Sequence, residues 1–162
     1  MQKEIIIMRH AKSDRSAAGI PDHERPLNQR GEKASLMMGK RIKKELFVPQ
    51  LIICSDALRA RETAENAAAE LGYDGKIRLA PELYLCEPDA FFEVMRGLDE
   101  ALTRIMIVAH NPGVEDFGRT YLGWEEARLP TAAYLCFSYE GVWSEIAHGA
   151  LRLCRFDFPK SR

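Results

Sequence analysis

No run of apolar residues in this 162-residue chain approaches the length of a membrane span, and the apolar stretch near Met1 is too short for a signal peptide. A cytoplasmic location is therefore the default expectation. Nor does charge of one sign dominate: 23 Lys and Arg face 24 Asp and Glu, for a formal net charge of −1. Nucleic acid or an anionic membrane would find no global field to draw it, and neither is expected as a partner. Any anion that binds must be caught by a local cluster. Cysteine is sparse. Cys54, Cys86, Cys136 and Cys154 form no C-x-x-C pair, and no His or Cys stands beside them at zinc-ligand spacing. Cys54, Cys136 and Cys154 lie in apolar, strand-like stretches and read as reduced, buried thiols. Internal repeats and low-complexity segments are absent. Several phosphate-handling signatures are missing too. There is no Gly-rich P-loop with Lys and Ser/Thr, and no Asp-x-Asp pair ahead of a strand-end loop. The Cys-x5-Arg arrangement is also lacking, because Cys54 and Arg59 are separated by one residue too few.

What is present is an ordinary globular composition, 46% hydrophobic and 29% charged, which argues against disorder. The length suits one domain over 1–162, with a core that needs no metal or disulfide. Glu4–Met8 is a short, continuously apolar run, as a strand buried on both faces requires. Arg9–Pro26, with its Gly, Pro, Ser, Asp and charges, reads as a functional loop. Asn28 is placed to cap a helix reaching Leu46, which Pro49 stops. Leu51–Cys54 is a second strand. Asp56 is expected to cap a helix to Leu71, with Gly72 beyond it. Ile77–Leu79 is a third strand. Pro88 opens a helix over Asp89–Leu98. Ile105–Ala109 is a fourth strand, after which Asn111 and Pro112 look like the cap and first position of another helix. Ala133–Ser138 and Ala150–Phe156 read as strands. Strands alternating with helices imply an α/β fold with a mostly parallel sheet.

In such sheets ligands bind beyond the carboxyl ends of the strands. Strand one ends in Arg9 and His10. Strand two leads through Ser55 to Arg59 at the head of a helix. Strand four ends in His110. A lone His there is more often a capping or core residue, and a lone Arg on a first helical turn is usually solvated. Two of each on one edge are harder to dismiss. The Arg fork suits planar, multi-oxygen anions, and helix N-termini near Asp56 and Asn111 would add donors. A neutral imidazole can attack phosphorus at neutral pH, since its ordinary pKa is about 6.5.

Met8–Ser13, Arg25–Gly31, Ser55–Thr63 and Val108–Gly113 together resemble, in order and across most of the chain, the motifs of the histidine phosphatase superfamily. That superfamily includes the phosphoglycerate mutases, and the motifs are most similar to its SixA-type phosphohistidine phosphatase branch. The resemblance implies a three-layer α/β sandwich with a mostly parallel mixed sheet flanked by helices. It implies a phosphohistidine intermediate on His10, with Arg9, Arg59 and His110 completing the phosphate pocket. Ser13 and Arg25 match positions that line it, and bind substrate on this reading. No cofactor and no metal are implied. The partner would be a protein phosphorylated on histidine, or else a small phosphate compound. A non-catalytic phosphoprotein-binding module is the rival from another class. A mutase is not expected, because the chain is short and has no large insertion to enclose a bisphosphate.

Two positions depart from the superfamily pattern. Ala11 stands where Gly is usual, which implies a backbone without positive φ there. Many members also carry a Glu after the third strand as general acid; here Leu85 occupies that place, with Glu82 and Glu87 out of register. Glu82, Glu87 and Asp14 remain candidates from other directions. A missing acid handicaps hydrolysis of alkyl phosphates, whose alkoxide needs a proton, far more than release of imidazole from phosphohistidine. Arg61 cannot share a helical face with Arg59, and is read as facing solvent or a carboxylate. His23 and His148 read as surface loop residues, and Lys40–Lys44 as a solvated face. Phe91, Phe92, Val94, Met95 and Leu98 read as core, and Trp124 and Trp143 as buried at an edge.

Overall fold

The apolar runs meet as neighbours in a six-stranded sheet of order β3-β2-β4-β1-β5-β6. The computed structural model describes residues 1–16 and 18–161; Ala17, which falls within the expected Arg9–Pro26 loop, and Arg162 lie outside the described residues. β1 (Gln2–Arg9), β2 (Leu51–Cys54), β3 (Arg78–Leu79) and β4 (Arg104–Ala109) are parallel. β5 (Tyr134–Glu140) runs antiparallel to β1, and β6 (Leu151–Asp157) antiparallel to β5. The sheet is thus mixed and mostly parallel.

The two-residue period of a strand explains the three layers. Ile5 and Ile7 point to one face and Ile6 and Met8 to the other, and none has exposed surface. The second face is covered by α1 (Gln29–Lys44) and α2 (Leu58–Leu71), through Met38, Ile42, Ala60, Ala64 and Ala67. The first is covered by α3 (Asp89–Arg96) and α4 (Gly113–Tyr121), through Phe91, Phe92, Met95 and Phe117. Each buried Ile side chain contributes about 1.5–3 kcal/mol relative to exposure, so the continuous apolar run of β1 anchors both layers.

The caps hold with two corrections. Asn28 Oδ1 accepts from the Gly31 N–H at 2.8 Å, and Gly72 closes α2 at φ 69°. Asp56, however, does not cap α2. Ala57 stands there, and Asp56 Oδ1 meets His23 Nε2 at 2.8 Å instead. Asn111 lies one residue further out than expected, since Pro112 precedes the first helical residue, Gly113. Asn111 Oδ1 still accepts from the Glu115 N–H at 3.2 Å, so it satisfies one of the orphan donors of α4.

The pattern also misjudged some side chains. Cys54 and Cys136 are buried, but Cys154 is exposed, because β6 is an edge strand and its alternation turns that residue outward. Within the basic face of α1 the lysines are exposed, whereas Arg41 donates to the carbonyls of Phe158 and Pro159 at 2.8 and 2.9 Å. Trp143 is buried with its indole N–H on Leu102 O at 2.8 Å, and Trp124 is buried against Phe156. Among the described residues no helix is long and apolar enough to cross a membrane.

Candidate active site

The order β2-β4-β1 puts the ends of those three strands side by side. The His10 N–H donates to Ala109 O at 2.9 Å, which ties the end of β1 to the end of β4. His10 and His110 therefore lie as neighbours, with ring centroids 5.1 Å apart. His10, Arg9, Arg59, His110, Ser13 and Arg25 all line one open cleft of about 1080 Å³. In a chain of nearly neutral charge, this cleft is markedly basic: Lys12, Arg15, Arg30, Arg128 and Lys160 also line it.

His10 is held in one protonation form. Its Nδ1 lies 2.7 Å from Ala11 O, and a carbonyl only accepts, so Nδ1 carries the hydrogen and Nε2 has a free lone pair. Arg59 Nε donates toward that nitrogen at 3.4 Å. Burial, with the nearby Arg59, Arg9 and Arg25 cations, pushes His10 down to about 4, against the opposing pull of Ala11 O. Burial, His10 and Arg59 likewise push His110 down to about 3. Both imidazoles are neutral at pH 7. The Ser55 hydroxyl lies 2.8 Å from His110 Nε2 and accepts from the Ala57 N–H at 3.2 Å. If Ser55 donates to His110, its own proton is satisfied and only the buried His110 Nδ1–H lacks a partner. The opposite tautomer would strand two groups, so this one is favoured. Cys54 offers no rival nucleophile, since burial pushes its thiol up to about 12.

The sequence motifs turn out to be braces for this arrangement. Ala11 N–H donates to Thr63 Oγ1 at 2.9 Å, and Thr63 donates in turn to Arg59 O at 2.8 Å, so α2 fixes the turn after His10. Ala11 does not have positive φ, as expected from the Ala at that position. Ser13 bridges to Leu27, Asp14 N–H donates to Pro26 O at 2.8 Å, and Leu27 N–H donates to Glu62 Oε1 at 2.8 Å. Arg25 Nη1 donates to Ser13 Oγ, so the two residues read as substrate contacts are joined to each other. Arg9 Nη1 donates to Leu129 O at 2.8 Å, and its buried Nε has no partner. Arg59 is 3% exposed and turned inward, whereas Arg61 Nε donates to Asp56 O at 3.1 Å.

One central group escaped the sequence reading. Asp22 sits on a short 3₁₀ turn, Asp22–Glu24, at the mouth of the cleft. Its carboxylate accepts from Arg59 Nη2 at 3.0 Å, from Arg25 Nη2 at 2.7 Å and Nε at 3.1 Å, and from the Tyr84 hydroxyl at 2.5 Å. Arg59 Nη1 also donates to Asp22 O at 2.7 Å. An acid in a polar loop gives no periodic signal, and only its spacing before Arg25 hinted at a role. Hydrogen bonds from Tyr84 and Arg25 hold the Asp22 carboxyl far below the usual carboxylate range, so it has no proton to give near neutral pH. Tyr84 packs edge-on against both His110 and His23, which links His23 to His110 through one ring. Leu85, at the place of the missing acid, lines the cleft with φ 50°; Glu82 and Glu87 are not among its described lining residues. No group of three or more His, Cys, Asp or Glu side chains among the described residues is placed to hold a metal ion.

Comparison with known proteins bears on the fold and the family. An uncharacterised protein of Mycobacterium tuberculosis is 29% identical over 163 residues, covering 94% of this chain and all of that one. The putative phosphohistidine phosphatase SixA of Agrobacterium tumefaciens superposes with a TM-score of 0.82 at 23% identity, over 97% of this chain and 98% of that one. The protein histidine phosphatase SixA complexed with tungstate gives 0.82 at 22% identity, over 96% and 97%. At such identity these structures establish the fold, the phosphoglycerate mutase-like three-layer sandwich. The sequence itself matches the model of the histidine phosphatase superfamily (branch 1) over residues 5–87, from β1 through α2 and past Tyr84. The chain belongs to the histidine phosphatase superfamily, and that membership supports a phosphatase-type hydrolase.

Proposed function

We propose that this protein is a metal-independent phosphatase in which His10 Nε2 takes a phosphoryl group, and that its substrate is phosphohistidine on a protein. The observation that carries the mechanism is the tautomer of His10, whose Nδ1–H is spent on Ala11 O while Nε2 is bare beside Arg59. In this reading Nε2 forms a bond to phosphorus as the leaving group departs, and water then releases phosphate from His10. Arg9, Arg59 and the unpartnered His110 Nδ1–H balance the charge on the phosphoryl oxygens. Ser13 and Arg25 bind at the rim.

Three features support phosphohistidine as substrate. Leu85 stands where a general acid is missing, and the two carboxyls that line the cleft, Asp22 and Asp14, are both held below the usual carboxylate range, the first by Tyr84 and Arg25 and the second by Ser16. An imidazole leaving group tolerates this better than an alkoxide does. The cleft is open enough for a side chain presented by a folded partner. The two structural neighbours described above are named as phosphohistidine phosphatases. Phosphate release from a protein phosphorylated on histidine with phosphoramidate, set beside release from a phosphoserine protein, is the deciding experiment. A strong preference for the first is expected; equal kcat/KM would overturn the substrate assignment. The cleft volume also suits a small phosphate ester, and a panel of sugar phosphates and nucleotides tests that reading.

A further inference from the structure

Asp22 already occupies part of the anion cradle. Its carboxylate accepts from Arg59 Nη2 and from two nitrogens of Arg25, and it is bonded again by Tyr84. Arg59 reaches His10 with Nε and Asp22 with Nη2, so one guanidinium serves both the nucleophile and the carboxylate. A phosphoryl group bonded to His10 Nε2 must take donors from that same guanidinium. It cannot share them with a carboxylate at hydrogen-bond distance without like charges meeting in a partly desolvated site. Arg59 Nη1 also holds the Asp22 backbone carbonyl, but the Asp22 side chain is free to turn outward: it is 46% exposed, against 3% for Arg59. The movable partner is the carboxylate, and the fixed one is the arginine.

We propose that Asp22 is an internal stand-in for the phosphoryl group, which keeps Arg59 and Arg25 aimed at the position a phosphoryl group would take and leaves them when a phosphoryl dianion arrives. Two consequences follow. The arginines need no reorganisation, since their forks are already ordered around two oxygens of similar spacing. Binding of every anion is weakened by the work of displacing Asp22, and only a ligand that offers the arginines more charge than a carboxylate does gains from the exchange. Asp22 is thus a specificity-determining residue: it lets in phosphoryl groups and keeps out carboxylates. It also takes its place back as inorganic phosphate leaves, which favours product release.

The inference rests on the assignment of His10, Arg59 and His110 as the phosphoryl site. Calorimetric titration of inorganic phosphate, tungstate and acetate into the wild-type chain and into Asp22→Asn tests it. The amide keeps the size and some hydrogen bonds but not the charge. Phosphate and tungstate should bind about tenfold or more tightly to Asp22→Asn, and acetate should bind the variant but not the wild type. In a tungstate-soaked crystal of the wild type, the Asp22 carboxylate should stand away from Arg59. Equal or weaker anion binding by Asp22→Asn, with wild-type binding intact, overturns the proposal, as does a tungstate complex that retains the Asp22–Arg59 ion pair. Should Asp22→Asn fold poorly, the wild-type crystal decides alone. Failure of the underlying site assignment has a different signature: neither chain then binds phosphate or tungstate beside His10.

Discussion

His10 Nδ1 lies 2.7 Å from the carbonyl oxygen of Ala11, its immediate neighbour in sequence. In the proposed mechanism that contact decides which ring nitrogen attacks. Brief incubation with a labelled phosphate donor, followed by an acid-free quench, should leave acid-labile phosphate on His10 Nε2. His10→Ala should show none. Acid-stable label, or label retained in the variant, would remove the covalent mechanism.

The depressed histidines set a pH window. The proposed mechanism requires His10 neutral, so kcat/KM should not be lost through protonation of His10 until the pH falls toward about 4. Stability responds earlier. Both imidazoles resist protonation in the folded chain, but they accept protons near pH 6.5 when unfolded. Their stabilising contribution is therefore whole above about pH 6.5 and declines as the pH drops below it. Thermal unfolding at pH 7 and pH 5 should show a larger fall in Tm for the wild type than for His110→Gln. A matching fall would contradict the burial argument.

The two arginines of α2 offer a sharper contrast. Arg59→Ala should lower kcat/KM by about 10²–10³-fold, the usual worth of one preorganised donor to developing charge. Arg61→Ala removes only a hydrogen bond to Asp56 O and should cost about 0.5–1.5 kcal/mol of stability, with kcat/KM close to wild type. The reverse pattern would mean that the inward guanidinium had been assigned to the wrong residue.

Much of this was legible in the sequence because strand ends and helix caps are local. The apolar run of β1, the Asn28 cap, the Gly72 terminus and the convergence of His10, Arg59 and His110 all follow from short-range patterns. Asp22 was not legible, because its role comes from contacts with Arg59 and Tyr84, 37 and 62 residues away. His23 lies at the surface as expected, but its contacts with Asp56 and Tyr84 were not legible for a similar reason. Cys154 was misread because apolar surroundings in sequence do not reveal which strand lies at the sheet edge.

Activity should survive prolonged dialysis against EDTA. The reacting groups in the proposed mechanism are imidazole and guanidinium, and the described residues hold no metal-binding cluster. Loss of turnover that zinc or magnesium restores would require a different mechanism.

Gly31 connects fold to site. A Cβ there would stand 2.1 Å from the carbonyl oxygen of Lys12, which also accepts from the Asn28 N–H at 3.0 Å. The obstacle is backbone, so no side-chain rotation relieves it. Gly31→Ala must push the Lys12 segment away from α1. Ser13 and His10 lie on that segment, and Arg25 is bonded to Ser13. Overpacking of this kind costs about 1–3 kcal/mol, and here the strain should also shift the residues that hold phosphate. Both Tm and kcat/KM should fall. Gly97→Ala is the control, because a Cβ there meets only Val94 O at 3.8 Å, an ordinary contact. If the two substitutions behaved alike in stability and turnover, the close approach of α1 to Lys12 would have no part in holding the His10 loop.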